Sequence, residues 1–349
     1  MRLRVSSAPS PAHSELRAPL VDRWQRPLRY LRISVTERCN YRCRYCAPPE
    51  GWPTSDRAAL MNFEELEHLT RLFVSLGVER VRLTGGEPLV RRGLPLLISR
   101  LAAIPGLQRI AMTSNGELLR RFAGPLYEAG LRELNVSIDS LEEDRFMNLT
   151  GGGSLSAVLD GIAAAQETGF RKIKLNAVTL GPESVEEAMS LCEWAWLQRC
   201  LPRFIEEMPL GMLERSTFGK RSNQQLRQTL DTRHPLRPAP SGGEAGLGPA
   251  RYWEVQQGPF AGHRVGFINP MSDNHFCAHC NRIRLTATGG LRACLADDRE
   301  VELGTALRAG ATDHDLISLI KTAIYGKRER HRLHEPPETP RKAMIAIGG

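Results

Sequence analysis

Between Leu31 and Met208 the chain alternates strand-like runs with helix-period stretches, and this alternation limits its fold more than any other feature. The strand-like runs are Leu31–Thr36, Val78–Thr84, Gln108–Thr113, Leu131–Ile138, Phe170–Val178 and Arg203–Met208. The last follows Pro202, which is tolerated where a strand begins. Between them Asn62 and Glu65 read as a capping box, followed by an apolar stripe of Leu66, Leu69, Phe73 and Leu76 and a stop at Gly77. Leu94–Ile104, Glu117–Ala129 closed by Gly130, and Ser154–Thr168 closed by Gly169 are the next helices. Ser184 and Glu187 open another, running to about Gln198. Strands alternating with helices build βα units, a parallel sheet and right-handed crossovers. Six units are two short of a closed eight-stranded barrel. The expectation is an α/β fold, an incomplete (βα)6 TIM-type barrel over residues 26–210.

The unusual turns all fall at the C-terminal ends of these strands, where such barrels place their active sites. They are Gly85-Gly86-Glu87-Pro88, Ser114-Asn115-Gly116, Asp139-Ser140 and, after the first strand, Cys39-Asn40-Tyr41-Arg42-Cys43-Arg44-Tyr45-Cys46. Iron–sulfur cubanes usually take four thiolates. A C-x3-C-x2-C loop supplies three and leaves one iron open. A zinc knuckle is the competing reading, but zinc favours C-x2-C pairs and four ligands, and no fourth is evident nearby. This spacing, with an aromatic residue before the third cysteine, resembles the signature of the radical S-adenosylmethionine (SAM) enzymes. The resemblance implies that the open iron chelates SAM and that an electron from the cluster splits it to a 5′-deoxyadenosyl radical. Gly85-Gly86-Glu87-Pro88 then matches the motif that holds the methionyl amino group.

Eight cysteines in 349 residues do not make a secreted disulfide framework. Six fall in two groups, the second being Cys277, Cys280 and Cys294; Cys192 and Cys200 read as buried inert thiols. By spacing alone the second group divides evenly between a second open cubane and a zinc site completed by His275 or His279. Asn281-Arg282-Ile283-Arg284 favours the cubane. Two guanidiniums on one face of an extended segment suit bidentate phosphate recognition.

Beyond Pro209 the βα pattern stops. Residues 235–250, rich in Pro, Gly and Ala, read as a mobile loop. A strand at His263–Asn269, a hairpin tipped by Thr288-Gly289-Gly290, helices near Val301–Ala309 and Asp313–Tyr325, and a Pro-rich tail ending Ile347-Gly348-Gly349 follow. Residues 1–25 carry Arg2, Arg4 and Arg17 among Ser and Pro without the apolar core of a signal peptide, and read as a disordered extension. No apolar run reaches the ~18 residues of a membrane span. The net charge of +8 is spread along the chain. Only Lys327-Arg328-Glu329-Arg330-His331-Arg332 is dense, and a solvated face or a small polyanion explains it as well as nucleic acid. His263, His314 and His334, with His331, read as surface or packing residues. Of Glu206 and Glu207 at the sixth strand's end, one is expected to orient SAM or a nucleoside.

The segments Arg32-Ile33-Ser34-Val35-Thr36 and Phe276-Cys277-x2-Cys280-Asn281-Arg282-Ile283-Arg284-Leu285-Thr286, with the terminal Gly-Gly, resemble the GTP 3′,8-cyclase family, from about Leu28 to Gly349. That resemblance implies a cytoplasmic lyase of molybdenum cofactor biosynthesis with two 4Fe-4S clusters. Cys39, Cys43 and Cys46 would hold the SAM cluster, with Tyr45, Gly86, Ser137 and Met208 around SAM. Cys277, Cys280 and Cys294 would hold the second, within a C-terminal region, residues 211–349, that closes the barrel. Arg32, Arg82, Thr113, Lys174, Arg282 and Arg284 would contact GTP, mostly its triphosphate, and Gly348 and Gly349 would reach the barrel mouth as part of the catalytic apparatus. Implied partners are a reductase, the downstream cyclic pyranopterin monophosphate synthase and a second copy in a homodimer, with no nucleic acid and no membrane. The readings set against it are a radical SAM enzyme acting on RNA and a zinc-stabilised binding module without catalysis.

Overall fold

Hydrogen-bonded strands run through the chain in an order that builds one sheet, parallel in its middle and antiparallel at both edges. A computed structural model describes residues 19–46, 54–180, 184–210, 223–239, 248–335 and 344–348. Its strands are β1 (Tyr30–Ser34), β2 (Arg80–Thr84), β3 (Arg109–Ser114), β4 (Glu133–Ser137), β5 (Lys172–Val178), β6 (Leu201–Ile205), β7 (Leu236–Pro238), β8 (Arg251–Val255), β9 (Arg264–Ile268), β10 (Arg282–Leu285), β11 (Gly290–Arg292) and β12 (Val301–Glu302). The helices are α1 (Phe63–Ser75), α2 (Leu94–Ala102), α3 (Leu119–Glu128), α4 (Glu143–Thr150), α5 (Leu155–Thr168), α6 (Ser184–Leu197), α7 (Asn223–Arg233), α8 (Leu303–Arg308), α9 (Asp313–Tyr325) and α10 (Met344–Ile347).

The sheet order is β12-β11-β10-β1-β2-β3-β4-β5-β6-β9-β8-β7. All pairings from β10 through β1–β6 to β9 are parallel. The six βα strands are thus flanked by one parallel strand on each side, both from the C-terminal region. β9 and β10 do not pair, and the chain between them carries Cys277 and Cys280.

Period two decides which side chains face the concave side. On β1 Leu31 and Ile33 are fully buried among the core hydrophobics, while Tyr30 and Arg32 line the interior cavity. Register carries the alternation sideways: Arg32 pairs with Arg82 on β2 and Arg284 on β10, and Tyr30 with Arg80 and Arg282. Helices cover the convex side. α1 opens with the expected capping box, Asn62 accepting from the Glu65 amide at 2.8 Å and Glu65 from that of Asn62 at 2.7 Å.

Several boundaries differ from expectation. β6 ends at Ile205, so Glu206, Glu207 and Met208 leave the strand at the mouth. Three helices went unforeseen, the four-residue α10 among them. α4 has only two turns and buries Phe146, Leu149 and Thr150, and α7 is polar apart from Leu226 and Leu230. Within the expected mobile loop, Leu236–Pro238 form β7 against β8, whereas residues 240–247 lie outside the described residues. The expected N-terminal extension also ends early. Leu20 is buried, its amide donating to the Leu76 carbonyl at 2.8 Å and its carbonyl accepting from the Leu28 amide at 2.8 Å. Residues 1–18, Gly349 and the Ser184 side chain lie outside the described residues. Glu187, the other half of that capping box, reaches Ser140 at 3.0 Å and Arg145 at 2.6 Å. Cys192 and Cys200 are buried as expected. Among the described residues no helix is long and apolar enough to cross a membrane.

Candidate active site

The first cysteine loop leaves β1 and is bonded onto the turn that leaves β2. The Gly86 amide donates to the Thr36 carbonyl and the Glu87 amide to that of Arg38, both at 2.8 Å. A Cβ at Gly86 would lie 2.2 Å from the Arg38 carbonyl oxygen, so only glycine permits the approach. Buried Glu87 accepts from the Leu89 amide (2.9 Å), the Ser114 hydroxyl (2.9 Å) and the Asn115 amide (2.7 Å), locking the ends of β2 and β3 together. Burial still pushes its carboxyl up to about 7. On the other flank the Arg42 and Arg44 amides bond carbonyls of Thr150 and Leu149 at the end of α4. The Tyr45 hydroxyl donates to Asp139 at 2.6 Å, and the Val178 amide holds the other Asp139 oxygen at 2.8 Å. Burial raises the Cys39 thiol to about 11 and that of Cys46 to about 12.

The second triad is built from two segments. Cys277 and Cys280 lie between β9 and β10, and Cys294 follows β11. Buried Lys327 spans them, its Nζ donating to the Arg282 carbonyl at 2.7 Å and the Ala293 carbonyl at 2.5 Å. Burial alone would raise the Cys280 thiol, but Lys327 and Arg282 bring it down to about 6, ready to act as a thiolate ligand. Arg26 closes the assembly. Its Nη1 donates to carbonyls of Cys277 (2.8 Å) and Glu329 (2.9 Å), its Nη2 to that of Arg328 (2.7 Å), and its Nε pairs with Asp22 at 2.6 Å.

The basic run therefore braces this triad rather than forming only a solvated face. His331, expected at the surface or in packing, lines the cavity and donates from Nε2 to the Pro270 carbonyl at 2.7 Å. Glu206, of the pair Glu206 and Glu207, stands on the cavity wall with its carboxylate already engaged. It accepts from the Met271 and Ser272 amides at 3.0 Å and from the Ser272 hydroxyl, pinning the segment after β9. His275 and His279 are exposed and do not line the cavity. Among the described residues no three His, Cys, Asp or Glu side chains stand close enough to hold a single metal ion, so neither triad is arranged as a compact zinc site. Two all-thiol sets of three, each facing open space, fit iron–sulfur clusters with one iron lacking a protein ligand.

Both triads line one cavity of about 320 Å³. The other positions singled out from the sequence gather on its wall: Tyr45, Gly86, Ser137, Met208, Arg32, Arg82, Thr113, Lys174, Arg282 and Arg284. Gly348 does not line it, but its carbonyl accepts from Arg284, and with φ at +68° a Cβ there would sit 3.0 Å from Thr84 and 3.1 Å from Ser34. The tail thus ends at the C-terminal ends of β1 and β2.

Sequence reasoning missed several wall residues, among them Arg80, Arg203, Tyr30 and Lys327. Arg80 is paired with Glu133. Arg203 donates to Asn176 Oδ1 at 2.9 and 2.5 Å. Tyr30 accepts from Arg82, and Lys327 is the brace just described. Arg80 and Tyr30 were findable, because they stand two residues before Arg82 and Arg32 on the same strand face. The wall is strongly positive. Burial and mutual repulsion with Arg82, Arg282 and Arg203 lower the Arg32 guanidinium to about 10 although Tyr30 opposes the fall, and burial with Arg32 and Arg282 drives Arg284 well below its ordinary value. Such a wall calls for a polyanion.

Comparison with known proteins follows the same division. Residues 33–195 match the Radical SAM superfamily and residues 202–333 match Molybdenum Cofactor Synthesis C. The GTP 3′,8-cyclase of Pelotomaculum thermopropionicum is 42% identical over 332 residues, covering 94% of this chain and 99% of its own length. That of Pseudomonas putida is 42% identical over 315 residues, covering 89% of this chain and 92% of its own. Streptococcus suis SuiB bound to S-adenosylmethionine superposes with a TM-score of 0.59 over 89% of this chain and 67% of its own, at 16% identity, a likeness of fold alone.

Proposed function

The chain belongs to the GTP 3′,8-cyclase family of radical SAM enzymes, and from that premise we propose that it converts GTP to 3′,8-cyclo-7,8-dihydroguanosine 5′-triphosphate in the cavity between its cysteine triads. One observation carries the reading: two three-thiol sets and a belt of cations share one void. Cys39, Cys43 and Cys46 hold one 4Fe-4S cluster, and Cys277, Cys280 and Cys294 the other. When bound, the first cluster with SAM would supply a 5′-deoxyadenosyl radical able to take hydrogen from ribose C3′; the C3′–C8 bond would then form at the expense of the C8–N7 double bond, with one electron from the reductase and one proton completing the dihydro product.

The chain's own residues do the positioning. Tyr45, anchored by Asp139, lines the SAM side with Gly86, Ser137 and Met208. Glycine at position 86 lets the methionyl end lie against backbone. Arg32, Arg82, Lys174, Arg282 and Arg284, with Thr113, take the triphosphate, and their fixed charges spare the site reorganisation when the anion arrives. Gly348, held by Arg284, limits access at the mouth. A reactive radical needs its target held close and water excluded, and a deep cavity with a tail across its rim provides both. In this reading the enzyme works in the cytoplasm as a homodimer. A reductase donates electrons and cyclic pyranopterin monophosphate synthase consumes the product.

The test is anaerobic reconstitution with iron and sulfide, then incubation with SAM, a reductant and GTP deuterated at ribose C3′. Loss of GTP to a cyclised triphosphate, with deuterium appearing in 5′-deoxyadenosine, is expected. SAM cleavage that proceeds with GTP untouched would overturn the assignment.

A further inference from the structure

Tyr30 occupies a position that the reaction does not explain. It is the first residue of β1, buried, and on the cavity wall. Arg82 donates to its hydroxyl from Nε, while Arg82 Nη1 reaches Thr113 Oγ1 at 3.1 Å. The guanidinium carbons of Arg80 and Arg82 lie 5.0 and 5.8 Å from the centre of the Tyr30 ring, within cation–π range. We propose that Tyr30 is a positioning residue for the triphosphate: it aims Arg82 and Arg80 and stands in for the anion until substrate arrives. The proposal rests on the reading of the cavity as a GTP site.

Charge accounting supports it. The charged and titratable groups facing Tyr30 are Arg32 on its own strand, Arg80 and Arg82 on β2, and Arg203 on β6, itself bonded to Tyr252 on β8; Glu133 on β4 pairs with Arg80, while Arg282, the register neighbour on β10, lies over Phe276 beside Cys280. Four cations thus gather around one carboxylate in a buried site, a costly excess unless an anion joins them. A phenol is the group best able to supply that charge by losing a proton. Burial alone would raise the Tyr30 hydroxyl, but Arg82, Arg80 and Arg32 bring it down to about 8.

A phenolate and a triphosphate compete for the same guanidiniums. When phosphates neutralise those cations the phenol regains its proton, so binding takes up a proton wherever Tyr30 is ionised in the free protein. Affinity is then level below about pH 8 and falls above it, by up to roughly tenfold per pH unit.

Calorimetry with GTP and the reconstituted enzyme tests this. Between about pH 7 and about pH 9 the wild-type Kd should rise roughly tenfold, and titrations in buffers of differing ionisation enthalpy should reveal proton uptake. Tyr30→Phe should bind GTP about fivefold more weakly near neutrality, having lost one hydrogen bond. It should also lose most of the pH slope and bind SAM as wild type does. A variant that keeps wild-type affinity and slope would overturn the proposal. So would a wild-type Kd that is level with no proton uptake, a result that does not depend on the variant folding. Saturable GTP binding by the wild type at neutral pH is the separate requirement of the cavity reading, and its absence would sink that reading instead.

Discussion

Gly86→Ala puts the heaviest demand on the geometry of the first triad. The new methyl would stand 2.2 Å from the Arg38 carbonyl oxygen, 2.5 Å from its carbon and 3.0 Å from the Cys39 nitrogen, all backbone atoms that no side-chain rotation can clear. Ordinary contact at about 3.5 Å requires the two loops to part by roughly 1 Å. The Gly86–Thr36 and Glu87–Arg38 hydrogen bonds, both 2.8 Å, would then be stretched beyond hydrogen-bonding range. Two bonds at about 1 kcal/mol each and an overpacking cost of about 1–3 kcal/mol sum to about 3–5 kcal/mol. Cys39 is part of the displaced backbone, so its thiol moves too. The assay is denaturant unfolding together with the iron content of reconstituted protein. The variant should lose the stability just worked out and about half its iron, the share of one cubane in two. Gly124→Ala is the control: it lies in α3 with no neighbour within 4 Å of the added carbon, and should be neutral or slightly stabilising. A Gly86→Ala protein with wild-type iron and an unchanged unfolding midpoint would refute the argument.

Cys43→Ser should abolish SAM cleavage, whereas Cys280→Ser should leave cleavage measurable and abolish loss of GTP; cyclisation surviving the second change would contradict the division between the triads. Arg26→Gln keeps a buried polar side chain but cannot reach the carbonyls of Cys277, Arg328 and Glu329 together. It should lower iron toward about four per chain by loosening the second cluster while SAM cleavage stays near wild type, and full iron retention would show that the strap is dispensable.

The barrel could be read from the sequence because its signals are local and periodic. Capping pairs such as Asn62 and Glu65, glycine stops such as Gly77, and alternation on β1 and β2 all point one way. The polar turns at strand ends also gave the mouth correctly. What escaped depends on neighbours in space. α7 carries too few apolar residues to show a stripe, and β7 exists only because β8 pairs with it. Arg203 looked like an ordinary strand cation until register set it opposite Asn176. Glu206 lines the cavity as its place at the strand end suggests, but its bonds to the segment after β9 have no signal in the sequence. Arg26 and Lys327 lie far from the cysteines in sequence, and no spacing rule would attach them to Cys277 and Cys280.

The central claim is that two iron–sulfur centres face each other across one cavity. The direct measurement is the EPR spectrum of the fully reduced wild type set against the sum of the spectra of Cys43→Ser and Cys280→Ser, each holding one cluster. Centres sharing a cavity should couple, giving dipolar broadening or splitting and faster relaxation that the sum lacks. A wild-type spectrum identical to the sum would contradict the account.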